Sequence, residues 1–518
     1  MATAAGIGEA FRRLQAGDVA GALECAERIA AQEPTNARAH LAKGIALRMA
    51  GRYGEASDAL AHAQSLDPRD HAAAYETGIV RQLEGRIEDA LRHFARSAEL
   101  RPDFFAAHFS AGLIHTDRRE WRLAADRFRA VLAVQPNQPD AMLHLALALD
   151  HDGRHDEAEG AFVHALAANP HHVPTLRVFG QHSARRGNFR RAASLFAEVA
   201  RLDPRDEAVP MFVAQTELLL GRWQLAWAAY ARRVPRRVFE RECAAHGRSY
   251  AVPTVEAIAN GEATLVAEQG LGDILFFLHW APLLRSAGTR LDFAGDVRLH
   301  PLLARTGLFE ALEETGGAAR ARTPILVGDL PSMFASTDPL TVATLRIEPL
   351  PERVAKWEAA LLAAGPRPWI GVQWRAGTPH EVLEHALSKS VPVEPLFAAL
   401  APMQGTVFAL QRQIAPGELD RAAGALGRPV TDLSSANDDL EDLLALATLL
   451  DRHAAVSSTT LHLAVAAGAT ADVLIPFPPE WRWRLEGDSP WFPGFRVHRQ
   501  GLDGDWTAAL AALTAQTR

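Results

Sequence analysis

A constant spacing of 34 residues governs the first part of the chain. Proline recurs at Pro34, Pro68, Pro102, Pro136, Pro170 and Pro204. Glycine keeps the same period at Gly17, Gly51, Gly85, Gly153, Gly187 and Gly221, with Arg119 in place of the one missing member. Alanine stands five residues behind each, at Ala22, Ala56, Ala90, Ala124, Ala158, Ala192 and Ala226. Three superimposed ladders exclude a single irregular core. Such a chain builds one small unit repeatedly, each burying its apolar face on the next. The unit is legible in GRYGEASDALAHAQSLDP, Gly51 to Pro68. Glycine turns the chain between two antiparallel helices, where a positive φ is cheap only for glycine. The small alanine lets the second helix approach its neighbour. Proline, mostly behind Asp, Glu or Asn, ends that helix and opens the next unit.

A 34-residue unit with these markers resembles the tetratricopeptide repeat. The resemblance implies seven units over residues 1–237, stacked as a right-handed superhelix whose concave groove holds a segment of a partner protein. A solenoid that only orders or dimerises the attached domain is the alternative. Asn36, Asn137, Asn169 and Asn188 do not recur at one repeat position. An asparagine-lined groove, as in the nucleocytoplasmic O-linked N-acetylglucosamine transferases, is therefore not expected. The seventh unit ends in LLLGRWQLAWAAYARR, Leu218 to Arg233, where Trp223, Trp227 and Tyr230 lie at helical spacing and are expected to pack on the next domain.

From about residue 238 the period disappears, and short apolar strands alternate with helical patterns. The segments 263–269, 290–296 and 323–329 read as buried parallel strands, succeeded by a second series at 368–374, 405–411, 428–433, 454–458 and 471–477. A proline-punctuated stretch, helical in its middle, connects the two series. Two doubly wound α/β halves, 238–365 and 366–518, are the economical reading. With 518 residues, 48% apolar and 22% charged, the chain is an ordinary globular one. A net charge of −8 gives no basic footprint for nucleic acid. Cys25 and Cys243 form no metal or disulfide pattern. No signal peptide and no apolar run of membrane-spanning length is visible, which leads us to expect a cytoplasmic protein.

Ligands in open α/β sheets bind at the carboxyl ends of the strands. In EQGLGDILFF, Gly270 and Gly272 permit a tight turn and a close ligand, and Asp273 opens the next helix. Asp273 reads either as a helix cap, which spacing alone favours, or as a general base. In VSSTTLHLAVAAGA a strand passes into a helix through Ser457, Ser458, Thr459 and Thr460, with His462 on the same face as Ser458. That is either an anion site at a helix N-terminus or an ordinary cap with a half-buried histidine. Lys389, with Ser390 beside it, offers a second phosphate contact or a solvated cation. Gln411, at another strand end, offers its amide to a base or sugar or serves the fold. Trp481, Trp483 and Trp491 read as packing.

EQGLGDILFFLHWAPLL, IGVQWRAGT, SSTTLHLAVAAG and PPEWRW…SPWFP occur in this order and look like the bacterial tetratricopeptide-repeat glycosyltransferases. Their catalytic half is similar to the ADP-heptose lipopolysaccharide heptosyltransferases. The junction Gly221-x5-Trp227-x2-Tyr230-x2-Arg233 also resembles that family. The resemblance implies an all-α tetratricopeptide-repeat superhelix followed by an α/β GT-B glycosyltransferase of two Rossmann-like domains. Residues 238–365 would face the acceptor and 366–518 the nucleotide-sugar. It makes Asp273 the general base, Lys389 a donor-phosphate ligand, and SSTTLH the donor-holding segment. Ser457, Ser458 and Thr459 replace the Asp-Thr-Gly of the heptosyltransferase pattern, so a heptose donor is not implied, and only His462 is retained. Enzymes similar in layout O-glycosylate flagellin with nonulosonic acids. The expected activity is metal- and cofactor-independent transfer from a nucleotide-sugar to a protein, flagellin being one candidate. An inactive scaffold, or a transferase with a saccharide or lipid acceptor, is the rival expectation.

Overall fold

The computed structural model describes residues 2–316, 321, 323–334, 342, 344–376 and 389–515. The end of IGVQWRAGT, Gly377 and Thr378, and most of the stretch before Lys389 lie outside the described residues. Seven antiparallel helix pairs come first, from Ala2–Gln15 with Val19–Gln32 to Val209–Leu219 with Trp223–Tyr230. The turn glycines of the ladder all take positive φ, between 73° and 79°, and Arg119 takes 58° in the same place. Every alanine of the alanine ladder is fully buried.

Packing adds a ladder that the sequence reading missed. Phe94, Phe128, Phe162 and Phe196 stand 34 apart on the second helices, at most 1% exposed. Glycines on the first helices receive three of them: a Cβ at Gly78 would lie 2.6 Å from Phe94, at Gly112 2.8 Å from Phe128, and at Gly180 2.5 Å from Phe196. The next member of the ladder is Tyr230.

Two compact units result, Met1–Phe179 and Gly180–Arg518. The repeat period runs to residue 237, but packing places its last members in the same unit as the sheets. That second unit contains two parallel sheets. The first has strand order β3-β2-β1-β4, with β1 Glu262–Val266, β2 Arg290–Ala294, β3 Phe309–Glu313 and β4 Pro324–Leu326. The second has order β10-β9-β8-β5-β6-β7. Its strands are β5 Trp369–Gln373, β6 Thr406–Ala409, β7 Val430–Asp432, β8 Arg452–Val456, β9 Asp472–Ile475 and β10 Arg496–Arg499. β3 and β10 are not anticipated by the sequence pattern; both are edge strands with polar, partly exposed residues and no apolar run.

The order fixes where each sheet opens. In the first, the chain winds outward through β2 and β3, then returns to β4 on the other side of β1. In the second it winds through β6 and β7, then returns to β8 beside β5. A crevice forms where successive strands leave in opposite directions, so β1/β4 and β5/β8 are the switch points. The connecting helix Pro351–Ala364 ties the halves: Arg353 and Lys356 reach the buried Asp442 at 2.9 and 2.7 Å. Arg305 adds a bidentate pair to Glu441, 2.6 Å for each arm. Among the described residues no helix is long and apolar enough to cross a membrane.

Candidate functional site

EQGLGD leaves the carboxyl end of β1, and SSTTLH leaves that of β8, so both lie at switch points. The helix Leu271–Phe277 starts after Gly270, and Gly270 provides no side-chain cap. Neither Gly270 nor Gly272 has a positive φ; the left-handed residue of this turn is Gln269, at 68°. The tight-turn role expected of the glycines is thus corrected. A Cβ on Gly272 would come within 3.0 Å of His462 Cδ2 and 3.5 Å of Thr459 Oγ1. Gly272 lets the two helix starts, Leu271–Phe277 and Thr459–Ala466, meet across the halves.

Asp273 is not used as a cap, contrary to the preference from spacing. Its Oδ1 accepts from Arg482, which belongs to the other half, and Oδ2 has no partner among the described residues. Arg482 also donates to Glu480, whose Oε2 accepts from Lys389 Nζ at 2.8 Å and from Ser457 Oγ at 2.9 Å. Asp273, Arg482, Glu480 and Lys389 form a chain of alternating charge from one crevice to the other. Arg482 is buried between Phe276 and Trp481, 4.7 and 4.6 Å from their ring centroids. Burial alone would raise the Glu480 carboxyl, but Lys389 and Arg482 outweigh it and hold Glu480 ionised well below the usual carboxylate range. Burial likewise works against charge on Arg482, and Asp273 with Glu480 overcomes it.

The helix behind SSTTLH has Ser458 at its N-cap position, yet the Ser458 hydroxyl makes no cap. It donates instead to Gln373 Oε1 at 2.6 Å, at the end of β5. Thr459 is half-buried and Thr460 buried. The ordinary-cap reading is therefore not what the fold does with these hydroxyls. His462 is 5% exposed, lies against Phe492 and Phe276, and has Nδ1 buried without a partner among the described residues. Burial, and then the nearby Arg482, keeps it neutral, far below the usual histidine range. Lys389 is anchored by its backbone, since its carbonyl accepts from Ala376 N just past β5. Gln411 stands apart from this group. Its Oε1 accepts from Trp374 N and Arg375 N at 3.1 and 2.9 Å, and its Nε2 donates to Arg412 O. The amide braces the exit of β5, the fold-serving one of its two expected roles.

Sequence reasoning missed Arg482, Glu480 and Gln373. PPEWRW reads as aromatic packing, and its rings do pack: Trp481 and Trp491 are 5.5 Å apart, and Trp483 and Phe492 4.3 Å. The available signal was two opposite charges inside an aromatic run, which folding could bury only in pairs.

The tetratricopeptide repeat signature matches residues 9–71, 112–172 and 178–237. The N-terminal part is a tetratricopeptide-repeat array. Over most of its length the chain is similar to Protein FlbA of Caulobacter vibrioides, 26% identical across 76% of this chain and 75% of that protein. Solved structures to which part of the chain is similar include MamA, residue 41 to the end, from Desulfovibrio magneticus RS-1, at 23% identity. It covers 33% of this chain and 97% of that one, with a TM-score of 0.31. The C-terminal part of a repeat-containing protein from Cytophaga hutchinsonii is 12% identical over 46% of this chain and 97% of that one, at a TM-score of 0.40.

The terminal repeat, Val209–Tyr230, packs behind the site. Trp227 meets Trp280 of the first half and Trp481 of the second, and Trp223 meets Trp491. The Tyr230 hydroxyl accepts from Gln269 Nε2 at 2.7 Å, and burial pushes its pKa to about 12, so it stays neutral. Arg233, 1% exposed, donates to Glu268 and, at 2.6 Å, to Asp329. The Tyr250 hydroxyl donates to the other Asp329 oxygen at 2.6 Å.

Proposed function

We propose that the chain is a metal-independent GT-B glycosyltransferase that moves a sugar from a nucleotide-sugar to a hydroxyl of a protein held by the repeats. The observation that carries the reading is the juxtaposition of Asp273 at the β1 switch point with Lys389 and Ser457–Thr460 at the β5/β8 switch point. Two crevices with one free carboxylate oxygen on one side and cation, hydroxyls and a helix start on the other suit an anionic donor and a hydroxyl acceptor.

In this reading the donor phosphate lies at Lys389, Ser457 and the start of the helix Thr459–Ala466. Asp273 Oδ2 accepts the proton of the acceptor hydroxyl as its oxygen attacks the anomeric carbon. The sugar–phosphate C–O bond breaks, and its electron pair leaves with the nucleotide. Arg482 holds Oδ1 and so fixes the direction of Oδ2. Gly272, Glu480 and Gln373 keep the two crevices in register. Flagellin is the candidate acceptor that the sequence resemblance suggests.

A scaffold is favoured by one observation: Lys389, Ser457 and Arg482 already have anionic partners within the chain. Calorimetric titration of the full chain with CMP, UDP, ADP and GDP separates the readings. Binding of one nucleotide, weakened by Lys389→Ala, supports the enzyme, and absence of binding by a folded chain overturns it. With the donor identified, Asp273→Asn is expected to lower transfer by about 10³-fold while nucleotide affinity is retained.

A further inference from the structure

The phenylalanine ladder changes where it meets the site. Phe94, Phe128, Phe162 and Phe196 fill the space between paired helices with an apolar ring, and Tyr230 is their successor with a hydroxyl added. The hydroxyl reaches Gln269, which is held in the left-handed region at φ 68° four residues before Asp273. Such a φ is strained for a residue other than glycine and persists where the surroundings enforce it. Three residues on from each ladder ring come Ser97, Val131, Ala165 and Val199, all small or apolar and at most 2% exposed. After Tyr230 that position is Arg233, equally buried, clamping Glu268 just before Gln269. Two neighbouring ladder positions thus carry a phenol and a guanidinium where the other repeats have a phenyl ring and a small or apolar side chain, and both point at the turn that carries Asp273.

We infer that Tyr230, through Gln269, is a positioning residue for Asp273, so that the terminal repeat is a working part of the site. This rests on the reading of Asp273 as the base. The Tyr230 hydroxyl fixes Gln269 in its left-handed conformation; that sets the direction of the helix Leu271–Phe277 and keeps Asp273 on Arg482. The pair of Asp273 and Arg482 in turn aligns the free carboxylate oxygen with the donor crevice.

Tyr230→Phe in the full chain is the direct test, because it restores the ring the other repeats use and removes only the hydroxyl. Gln269→Asn is its companion, keeping a side chain tolerant of the left-handed region but too short to reach Tyr230. Asp273 is partly exposed, so a water-soluble carbodiimide with an amine can label it, read by peptide mass spectrometry without nucleotide. Both variants are expected to label Asp273 faster by about threefold, as the turn opens locally. Transfer should show kcat lower by about tenfold with donor KM unchanged and nucleotide stoichiometry intact. Unchanged labelling in both variants overturns the inference. So does faster labelling with unaltered kcat when Asp273→Asn is inactive. If Asp273→Asn keeps turnover, the reading of Asp273 as base fails, while faster labelling still upholds the hold of Tyr230 on the turn.

Discussion

The two compact units use charge in opposite ways. In Met1–Phe179 the ion pairs are largely exposed and local, such as Arg52–Glu55, Arg96–Glu99 and Arg154–Glu157, each three residues apart. In Gly180–Arg518 several are buried and join distant segments, including Arg233 with Glu268 and Asp329, Arg452 with Asp472, and Arg482 with Asp273. The first unit repeats one apolar solution, so no single charge decides its shape. In the second, buried charges fix which turns face one another, and removing one partner leaves another desolvated. Exposed pairs contribute little to stability, and a buried pair is costly to break.

The largest effect expected on this contrast comes from Arg233→Met. It strips the guanidinium from two buried carboxylates and should lower the stability of Gly180–Arg518 by about 3–5 kcal/mol. Arg154→Met, on the exposed pair with Glu157, should leave the denaturant midpoint of the repeats where it is. Urea unfolding of the full chain, monitored by far-ultraviolet circular dichroism, reads both. A loss below about 1 kcal/mol for Arg233→Met would remove the distinction between the units.

The same contrast explains what the sequence disclosed. The repeat ladders are local: glycine, alanine and proline act within one unit, and the period multiplies the signal seven times. Most strands are legible too, because β5 is buried along its whole length and β8 ends in the buried apolar run Ala454–Val456. β3 and β10 are not, since an edge strand shields only one side and FEALE or RVHR carries no apolar run. Ser457, Lys389 and Asp273 stand out because each comes after a strand. The link between them is invisible in the sequence, because Arg482 stands 209 residues from Asp273 and only folding brings them together. Gln411 shows the converse: a polar residue at a strand end that serves two backbone amides.

A second effect is smaller and depends on pH. His453 lies on β8, fully buried, with both ring nitrogens unpartnered among the described residues. Burial lowers its pKa to about 4, the nearby Asp472 only partly opposing it. Above the ordinary histidine value neither state binds the proton, and stability is unaffected. Between that value and about 4 the unfolded chain is protonated and the native one is not, so stability falls as pH falls. The loss from this residue is about 1.4 kcal/mol per pH unit inside the window. His453→Leu should flatten that slope for the second unit and leave stability above the window within about 1.5 kcal/mol. An unchanged slope between pH 6 and 4.5 would mean that the ring is not buried uncharged.

The smallest effect tests the first unit on its own terms, by one substitution at two glycines. At Gly112 a Cβ would press on the Phe128 ring at 2.8 Å, inside the ladder, and neither helix can retreat without disturbing the next pair. Gly112→Ala is therefore expected to destabilise the repeats by about 1–3 kcal/mol. Gly160 lies within the helix His155–Ala168, with nothing among the described residues within 4 Å of its Cβ position. There alanine restricts the unfolded chain and favours the helix, so Gly160→Ala should stabilise by about 0.5–1 kcal/mol. Opposite signs for the same methyl group, read from urea midpoints, identify the glycine and phenylalanine ladder as what sets the spacing of the helix pairs. If Gly112→Ala instead stabilises as Gly160→Ala does, the helices are free to separate there. The polar replacement of the ladder ring at Tyr230 would then have to be understood without its close packing.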